Sequence, residues 1–212
     1  VGIILASLFV RFIVKDDISE GVTKVLKAMS TSSSQIKPHN CYSSVVGGAL
    51  TIGFGGSVGP EAPIVLTGAA IGSNIGRLMK LNYRNLTLML ACGVAAALSA
   101  IFKAPITGVI FVMEILLLDM SMTAIIPLII SSVTAVTLTF FVRGFEPMLS
   151  AGTIGDLSFS HIPIYLLLAI VCGLMCYYFM NTNFRVKGLI DRLGKPWKKW
   201  VVGGLALGVM IM

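Results

Sequence analysis

The chain reads as an all-α polytopic membrane protein, and three observations predict it. Only 12% of its 212 residues are charged and 56% are hydrophobic, against about 25% charged in soluble domains. Mean hydropathy is +0.94, and it is carried by apolar runs suited to helices that cross a bilayer in roughly 20 residues. The third observation is that glycine and proline interrupt those runs, most sharply around Glu61. Lipid offers backbone N–H and C=O groups no partner, so the spanning form is helical, and broken backbone must line a cavity or a protein interior.

Taken in order, residues 1–14 read as the tail of a spanning helix, closed by Lys15, Asp16 and Asp17. They lack the basic leader and cleavage site of a signal peptide. A short amphipathic helix follows, with Asp17 and Glu20 in capping-box spacing and Val22, Val25, Leu26 and Met29 on one face. It is too short and too polar to span. Residues 31–40 form a serine-rich basic loop. Residues 42–58 are apolar and rich in glycine (Gly47, Gly48, Gly53, Gly55, Gly56), which permits close helix contact.

A break at Gly59-Pro60 precedes a helix over residues 61–78. Proline suits a first helical turn, where its missing N–H would lack a partner in any case. Glu61 is the only charge between Lys37 and Arg77, and it stands at that helix start. Such an end presents unpaired N–H groups and a partial positive charge, which attract anions. Glu61 is thus an anion tethered where a free anion would bind.

The next helix spans residues 85–102, with a small-residue face in Gly93, Ala95, Ala96, Ala97 and Ala100. Lys103-Ala104-Pro105 interrupts it before a helix over 106–118. Residues 125–142 form another span, 144–163 a polar loop, and 164–180 a further span. Lys195, Lys198 and Lys199 make a basic collar before the helix over 201–212. The chain begins without Met and stops inside that apolar run, as a piece of a longer protein would.

Net charge is +7, concentrated in the connecting segments, which fits the positive-inside rule and headgroup contact. No basic stripe is interleaved with aromatics, so nucleic acid is not an expected partner. There is no H-E-x-x-H and no His/Cys cluster, so no metal site is expected. Cys41, Cys92, Cys172 and Cys176 lack metal-type spacing and read as small packing residues. Gly55-Gly56-Ser57-Val58-Gly59 satisfies the G-x-S-x-G pattern of serine hydrolases. That reading needs a strand before Ser57 and a base, for which only His39 and His161 exist.

Two segments carry a family resemblance. Gly56-Ser57-Val58-Gly59-Pro60-Glu61-Ala62-Pro63-Ile64-Val65 resembles the G-R-E-G-P-x-V signature of the CLC chloride channels and transporters. Glutamate, second proline and valine match in register, whereas Pro60 replaces arginine and Ala62 replaces glycine. Phe102-Lys103-Ala104-Pro105-Ile106-Thr107-Gly108-Val109-Ile110-Phe111-Val112-Met113-Glu114 is similar to the family's F-x-A-P-x-x-G-x-x-F-x-x-E segment. The resemblance runs from about Asp17 to the end. It implies that residues 1–212 are a partial CLC-type transmembrane domain, the first of two inverted repeats plus the start of the second, without the C-terminal half.

The resemblance implies a chloride (anion) channel rather than an enzyme, embedded as a multi-pass protein in the lipid bilayer of a cell membrane. Chloride or a similar anion would be the transported ligand, with no other cofactor. A homodimer with one pore per subunit, gated by voltage or pH, is implied likewise. Glu61 would be the gate: charged, it fills the outer anion site, and protonated, it swings out. Gly59, Pro60, Ala62, Pro63 and Ile64 would form that anion site, although Pro60 removes an N–H and a charge that arginine offers. Ser19, Glu20, Gly21 and Val22 fall where the family carries G-S-G-I-P. The anion-binding serine coincides with Glu20, unless a one-residue shift makes Ser19 its stand-in; a plain helix cap is the other reading. Proton exchangers of the family show two adjacent glutamates where this chain has Glu114-Ile115. The apolar Ile115 therefore points to a channel, with a proton-coupled chloride exchanger as the alternative and a membrane serine hydrolase as a remote one. Glu114 reads as structural, paired inside the bundle, and Lys103 as either a cation near the pore or a snorkelling end residue.

Overall fold

In the computed structural model the described residues are 2–14, 21–56, 59–116, 122–144, 162–192, 194 and 196–211. Among them every regular element is helical: α1 Gly2–Phe9 with a π-helical continuation Val10–Val14, α2 Gly21–Thr31, a 3-10 turn Pro38–Cys41, α3 Ser43–Gly53, α4 Glu61–Leu78, α5 Tyr83–Phe102, α6 Pro105–Ile115, α7 Met122–Arg143, α8 Ile162–Asp191 and α9 Pro196–Ile211. Asp17, Ser19, Glu20, Ser57, Val58 and His161 lie outside the described residues. So do Lys195 and most of the 144–163 segment.

The chain divides into two compact units, residues 1–148 and 149–212. In the first, α4 and α5 form the central antiparallel pair, with α6 and α7 against α5 and with α2, α3 and the 3-10 turn against α4. Leu66, Ala69 and Ala70 of α4 meet Leu90, Ala91, Val94 and Leu98 of α5 in one buried core with Val25 of α2 and Val112 of α6. The mating surface is backbone on backbone. A Cβ placed at Gly68 would collide with the Gly93 carbonyl oxygen, and one at Gly72 with that of Met89. A Cβ at Gly76 would lie 2.6 Å from the Leu86 side chain. Spaced by four, Gly68, Gly72 and Gly76 form a single stripe, and the absence of side chains there lets dispersion contacts form without a hydrophobic driving force. Of the 42–58 glycines, Gly48 approaches another helix, at Pro63, and Gly47 is buried, whereas at Gly53 and Gly55 nothing lies within 4 Å.

Helix ends follow from local chemistry. α3 stops at Gly53, short of residue 58. Gly55 adopts a left-handed φ of 83°, and its N–H donates to Ile52 O while Gly56 N–H donates to Thr51 O, both at 2.9 Å. This paired arrangement satisfies the last carbonyls and ends the helix. α5 begins two residues before the expected start because Asn82 accepts from Asn85 N–H at 3.2 Å, a side-chain cap worth about 1 kcal/mol. α8 runs eleven residues beyond the apolar stretch that defined it in the sequence, continuing through Arg185 and Lys187 to Asp191. Hydropathy marks where lipid ends, not where backbone hydrogen bonding ends, and no proline or glycine cap intervenes before Gly194. Lys198 and Lys199 lie on α9 itself rather than in a collar ahead of it, and Lys199 pairs with Asp191 at 2.7 Å.

Among the described residues, three helices are long and apolar enough to cross a bilayer: α5, α7 and α8. At 30 residues, α8 is about 45 Å long, more than the ~30 Å hydrocarbon core. Its charged end therefore extends toward the headgroups.

A polar seam fastens the 32–42 segment to α4. Ser73 is fully buried; its hydroxyl donates to Ser34 O at 2.7 Å and accepts from Ile36 N–H at 3.1 Å. Asn74 donates to Ile36 O at 3.3 Å, and the Ser34 and Thr87 hydroxyls share a 2.6 Å bond. Replacing Ser73 by alanine strands a buried N–H and a buried C=O, a loss of about 1–3 kcal/mol. Thermal unfolding of the full-length protein in detergent should show a lower midpoint for Ser73→Ala; an unchanged midpoint would mean that the seam contributes nothing to stability.

Candidate functional site

The sequence-marked site sits at the first turn of α4. Pro60 occupies the N-cap position with φ −74° and ψ −12°, and no side chain caps this end. Ile64 N–H reaches Pro60 O at 3.2 Å. The N–H groups of Glu61 and Ala62 precede the first intrahelical bond and have no acceptor within the helix. Pro63 has no N–H to give.

The Glu61 carboxylate folds back over this end. Its Oε2 atom fills the space that a side chain at residue 59 would need, so only glycine at 59 admits this rotamer. The carboxylate is exposed, and it lies at the partial positive pole of α4, where an anion is favoured.

A second helix start meets the first. Gly21 opens α2 and is buried; a Cβ there would clash with the Ala62 carbonyl oxygen and lie 2.7 Å from its carbonyl carbon. The N-termini of α2 and α4 therefore abut, and their positive poles point to one neighbourhood. α3 closes a third side, since a Cβ at Gly48 would lie 3.1 Å from the Pro63 ring.

Of the predicted site residues, the structure brings together Gly21, Ala62 and Pro63, with Glu61, Pro60 and Gly59 at the exposed lip. Ile64 is half-buried, and Val22 is half-buried against the core. Ser19 and Glu20 immediately precede Gly21 but lie outside the described residues. The Gly21–Ala62 contact and the Gly68/Gly72/Gly76 stripe were not foreseen, although the spacing of four in that stripe was visible in the sequence.

Glu114 departs from expectation. It is exposed on α6, and among the described residues it has no hydrogen bond or ion pair, so the expected internal pairing is not there. Ile115 is half-buried against the core. Lys103 caps α5 in a left-handed conformation (φ 52°). Its ammonium donates to Gly144 O at 3.0 Å and lies 5.7 Å from the Phe140 ring centroid. It ties the end of α5 to the end of α7.

The hydrolase pattern lacks its structural context. Helix α3, not a strand, leads into Gly55-Gly56, and His39 faces Ser43 at 3.3 Å. No group of three or more metal-ligating side chains occurs among the described residues.

Comparison with known proteins bears on the whole chain. A family model described as voltage gated chloride channel matches residues 2–212. An uncharacterized protein of Methanocaldococcus jannaschii is 27% identical over 97% of this chain and 52% of its own length. The chloride channel protein CLC-e of Arabidopsis thaliana is 30% identical over 81% of this chain and 26% of its own. The H(+)/Cl(-) exchange transporter ClcA of Yersinia pestis is 31% identical over 78% of this chain and 35% of its own. In structure, the chain is similar to a CLC-type fluoride/proton antiporter, with a TM-score of 0.83 and 25% identity over 99% of this chain and 53% of the antiporter. The chain thus spans about half the length of these relatives, or less.

Proposed function

The chain belongs to the voltage-gated chloride channel family, as an integral multi-pass membrane protein, and we propose that it contributes the first part of a selective anion pathway gated by Glu61. The observation that carries this reading is the meeting of the α2 and α4 N-termini at Gly21 and Ala62, with the Glu61 carboxylate folded over Gly59. Two positive helix poles and unpaired backbone N–H groups can replace part of an anion's hydration. A carboxylate tethered in the same place competes with that anion. The anion-contacting set proposed is Gly59, Pro60, Ala62, Pro63 and Ile64 from α4, with Gly21, Val22 and the preceding Ser19 and Glu20 from the start of α2. The permeant species is chloride or a similar small anion, and the working unit in the bilayer is a homodimer.

Passive, channel-like flow is the primary mode proposed, because Ile115 offers no titratable group beside Glu114. Placing a charge in such an apolar stretch costs at least several kcal/mol. Proton-coupled exchange is the second reading. It is favoured by the exchanger and antiporter among the relatives and by the exposure of Glu114, a titratable group on α6.

The test uses full-length protein in proteoliposomes, with a chloride gradient, no proton gradient and valinomycin setting the voltage. Channel flow predicts anion efflux with internal pH unmoved. Proton movement against its own gradient, at a fixed ratio to chloride, would replace the channel reading with the exchanger. Absence of any anion flux would remove both.

A further inference from the structure

We propose that the corner between α8 and α9 lies in the headgroup layer and is a docking surface for anionic phospholipid. From residue 157 onward the chain carries one carboxylate, Asp191, against Arg185, Lys187, Arg192, Lys195, Lys198 and Lys199. The next carboxylate back in the sequence is Asp156, six residues before α8 begins at Ile162. That length of chain reaches at most about 21 Å, whereas Ile162 and Arg185 are about 34 Å apart along the helix. Asp156 therefore cannot pair with Arg185 or with any cation beyond it.

Three exposed cations carry the surface: Arg185, Arg192 and Lys198. The two arginines are seven residues, or about two turns, apart, so they stand on one side of α8. Exposed Val186 and Leu189 occupy an adjoining face of the same turns. Basic and apolar residues side by side on a helix suit the boundary between headgroups and hydrocarbon better than water. Lys199 donates to Asp191 Oδ1 at 2.7 Å, which sets the first turn of α9, with Lys198, against the last turn of α8.

Depth follows from length. Residues 162–180 carry no charge and are about 28 Å long, enough to fill the ~30 Å hydrocarbon core. Residues 181–191 add about 16 Å, more than the roughly 5–7 Å of headgroup layer on one side. Standing upright, the end of α8 would leave the membrane. The Asp191–Lys199 contact rules this out. α9 has no charge from Trp200 onward, so Lys199 sits at the edge of its apolar run, and Asp191 beside it lies at the same depth. α8 therefore tilts by roughly 35–40°, within the range of spanning helices, and lays its last turns along the lipid phosphates. The start of α9, Trp197-Lys198-Lys199-Trp200, is made of the residue types that collect at that boundary. Each cation held there attracts anionic lipid.

The test places full-length protein in phosphatidylcholine vesicles that carry a minor fraction of dibrominated phosphatidylglycerol or dibrominated phosphatidylcholine, and records tryptophan quenching. The quenching that disappears in Trp197→Phe/Trp200→Phe is the signal of this corner. In the wild type, phosphatidylglycerol should quench it more than phosphatidylcholine does. In Arg185→Gln/Arg192→Gln/Lys198→Gln the apparent association constant for phosphatidylglycerol should fall about fivefold for each charge removed. Arg185→Lys/Arg192→Lys, which keeps the charge, should stay close to wild type. So should Lys80→Gln/Arg84→Gln, which lowers charge outside this unit. Equal quenching by the two lipids, no corner signal with either, no loss in the triple variant, or equal loss in the Lys80/Arg84 control would overturn the surface. Displacement of the brominated lipid by glycerol 3-phosphate would make it a soluble-anion site, and displacement by polyglutamate a protein-docking site; either result overturns the lipid assignment. If the triple variant does not fold, Arg192→Gln carries the same comparison at about fivefold. No readout here depends on anion flux.

Discussion

Glu61→Gln should raise anion flux at neutral pH and remove its pH dependence. The amide keeps the size of the side chain while deleting the charge that, in the proposed reading, competes with an anion for the α2 and α4 N-termini. Helix N-termini stabilise a nearby negative charge by ~0.3–1 kcal/mol when exposed and up to ~2 kcal/mol when partly buried. For the exposed Glu61 carboxylate, removing a competitor worth about 1 kcal/mol corresponds to roughly fivefold in access to the site. If Glu61 is the gate, neutralising its carboxylate in acid should free the site in the wild type, so flux should rise as pH falls. In Glu61→Gln the high rate should hold at both ends of the range. Chloride efflux from liposomes carrying the full-length protein, recorded at acidic and neutral pH, checks this. A variant that keeps the wild-type pH dependence would show that Glu61 is not the gate. Gly59→Ala gives an independent arm, because its methyl group would occupy the place of the Glu61 Oε2 atom and expel the carboxylate while leaving it titratable.

Gly72→Ala should be strongly destabilising, against its helix propensity. Alanine is favoured over glycine inside a helix by about 1 kcal/mol, and Gly173→Ala on α8, where a Cβ meets nothing within 4 Å, should gain up to that amount. At Gly72 the new methyl group would strike the Met89 carbonyl oxygen and lie 3.0 Å from Leu90 Cα. These are backbone atoms of α5 and cannot rotate away, so α4 must be pushed off its partner. Overpacking of this kind costs typically 1–3 kcal/mol and occasionally more, and the displaced helix carries Glu61 with it. The expected result is a large loss of monodisperse protein after detergent extraction, with reduced anion flux in what survives. A Gly72→Ala protein as stable and active as wild type would show that α4 and α5 are not held at backbone contact.

Much of this follows from sequence because lipid narrows the options. Low charge and long apolar runs allow only helices that satisfy their own backbone groups, and so the all-α class and the positions of α4, α5 and α7 were legible to within a few residues. Glu61 stood out because a lone carboxylate beside two prolines, ahead of an apolar run, reads most plainly as a helix start. The ends of α3 and α8 were less legible. One depends on a left-handed glycine at residue 55, the other on backbone hydrogen bonding that continues past the apolar residues.

What the sequence determined by itself is the solvent of the chain, its helical class and the chemistry placed at the α4 start. These are properties of composition and of neighbours along one helix. Tertiary structure alone decided that Gly21 and Ala62 touch, although they are forty-one residues apart. It also decided that Lys199 of α9 pairs with Asp191 of α8. It paired the Gly68, Gly72 and Gly76 stripe with Gly93, Met89 and Leu86 rather than with any other small-residue face. The reason is that glycine stripes and basic residues are compatible with many partners. The partner is chosen only when backbone approach distances and buried hydrogen bonds, such as that of Ser73 with Ser34, are satisfied together across the packed helices.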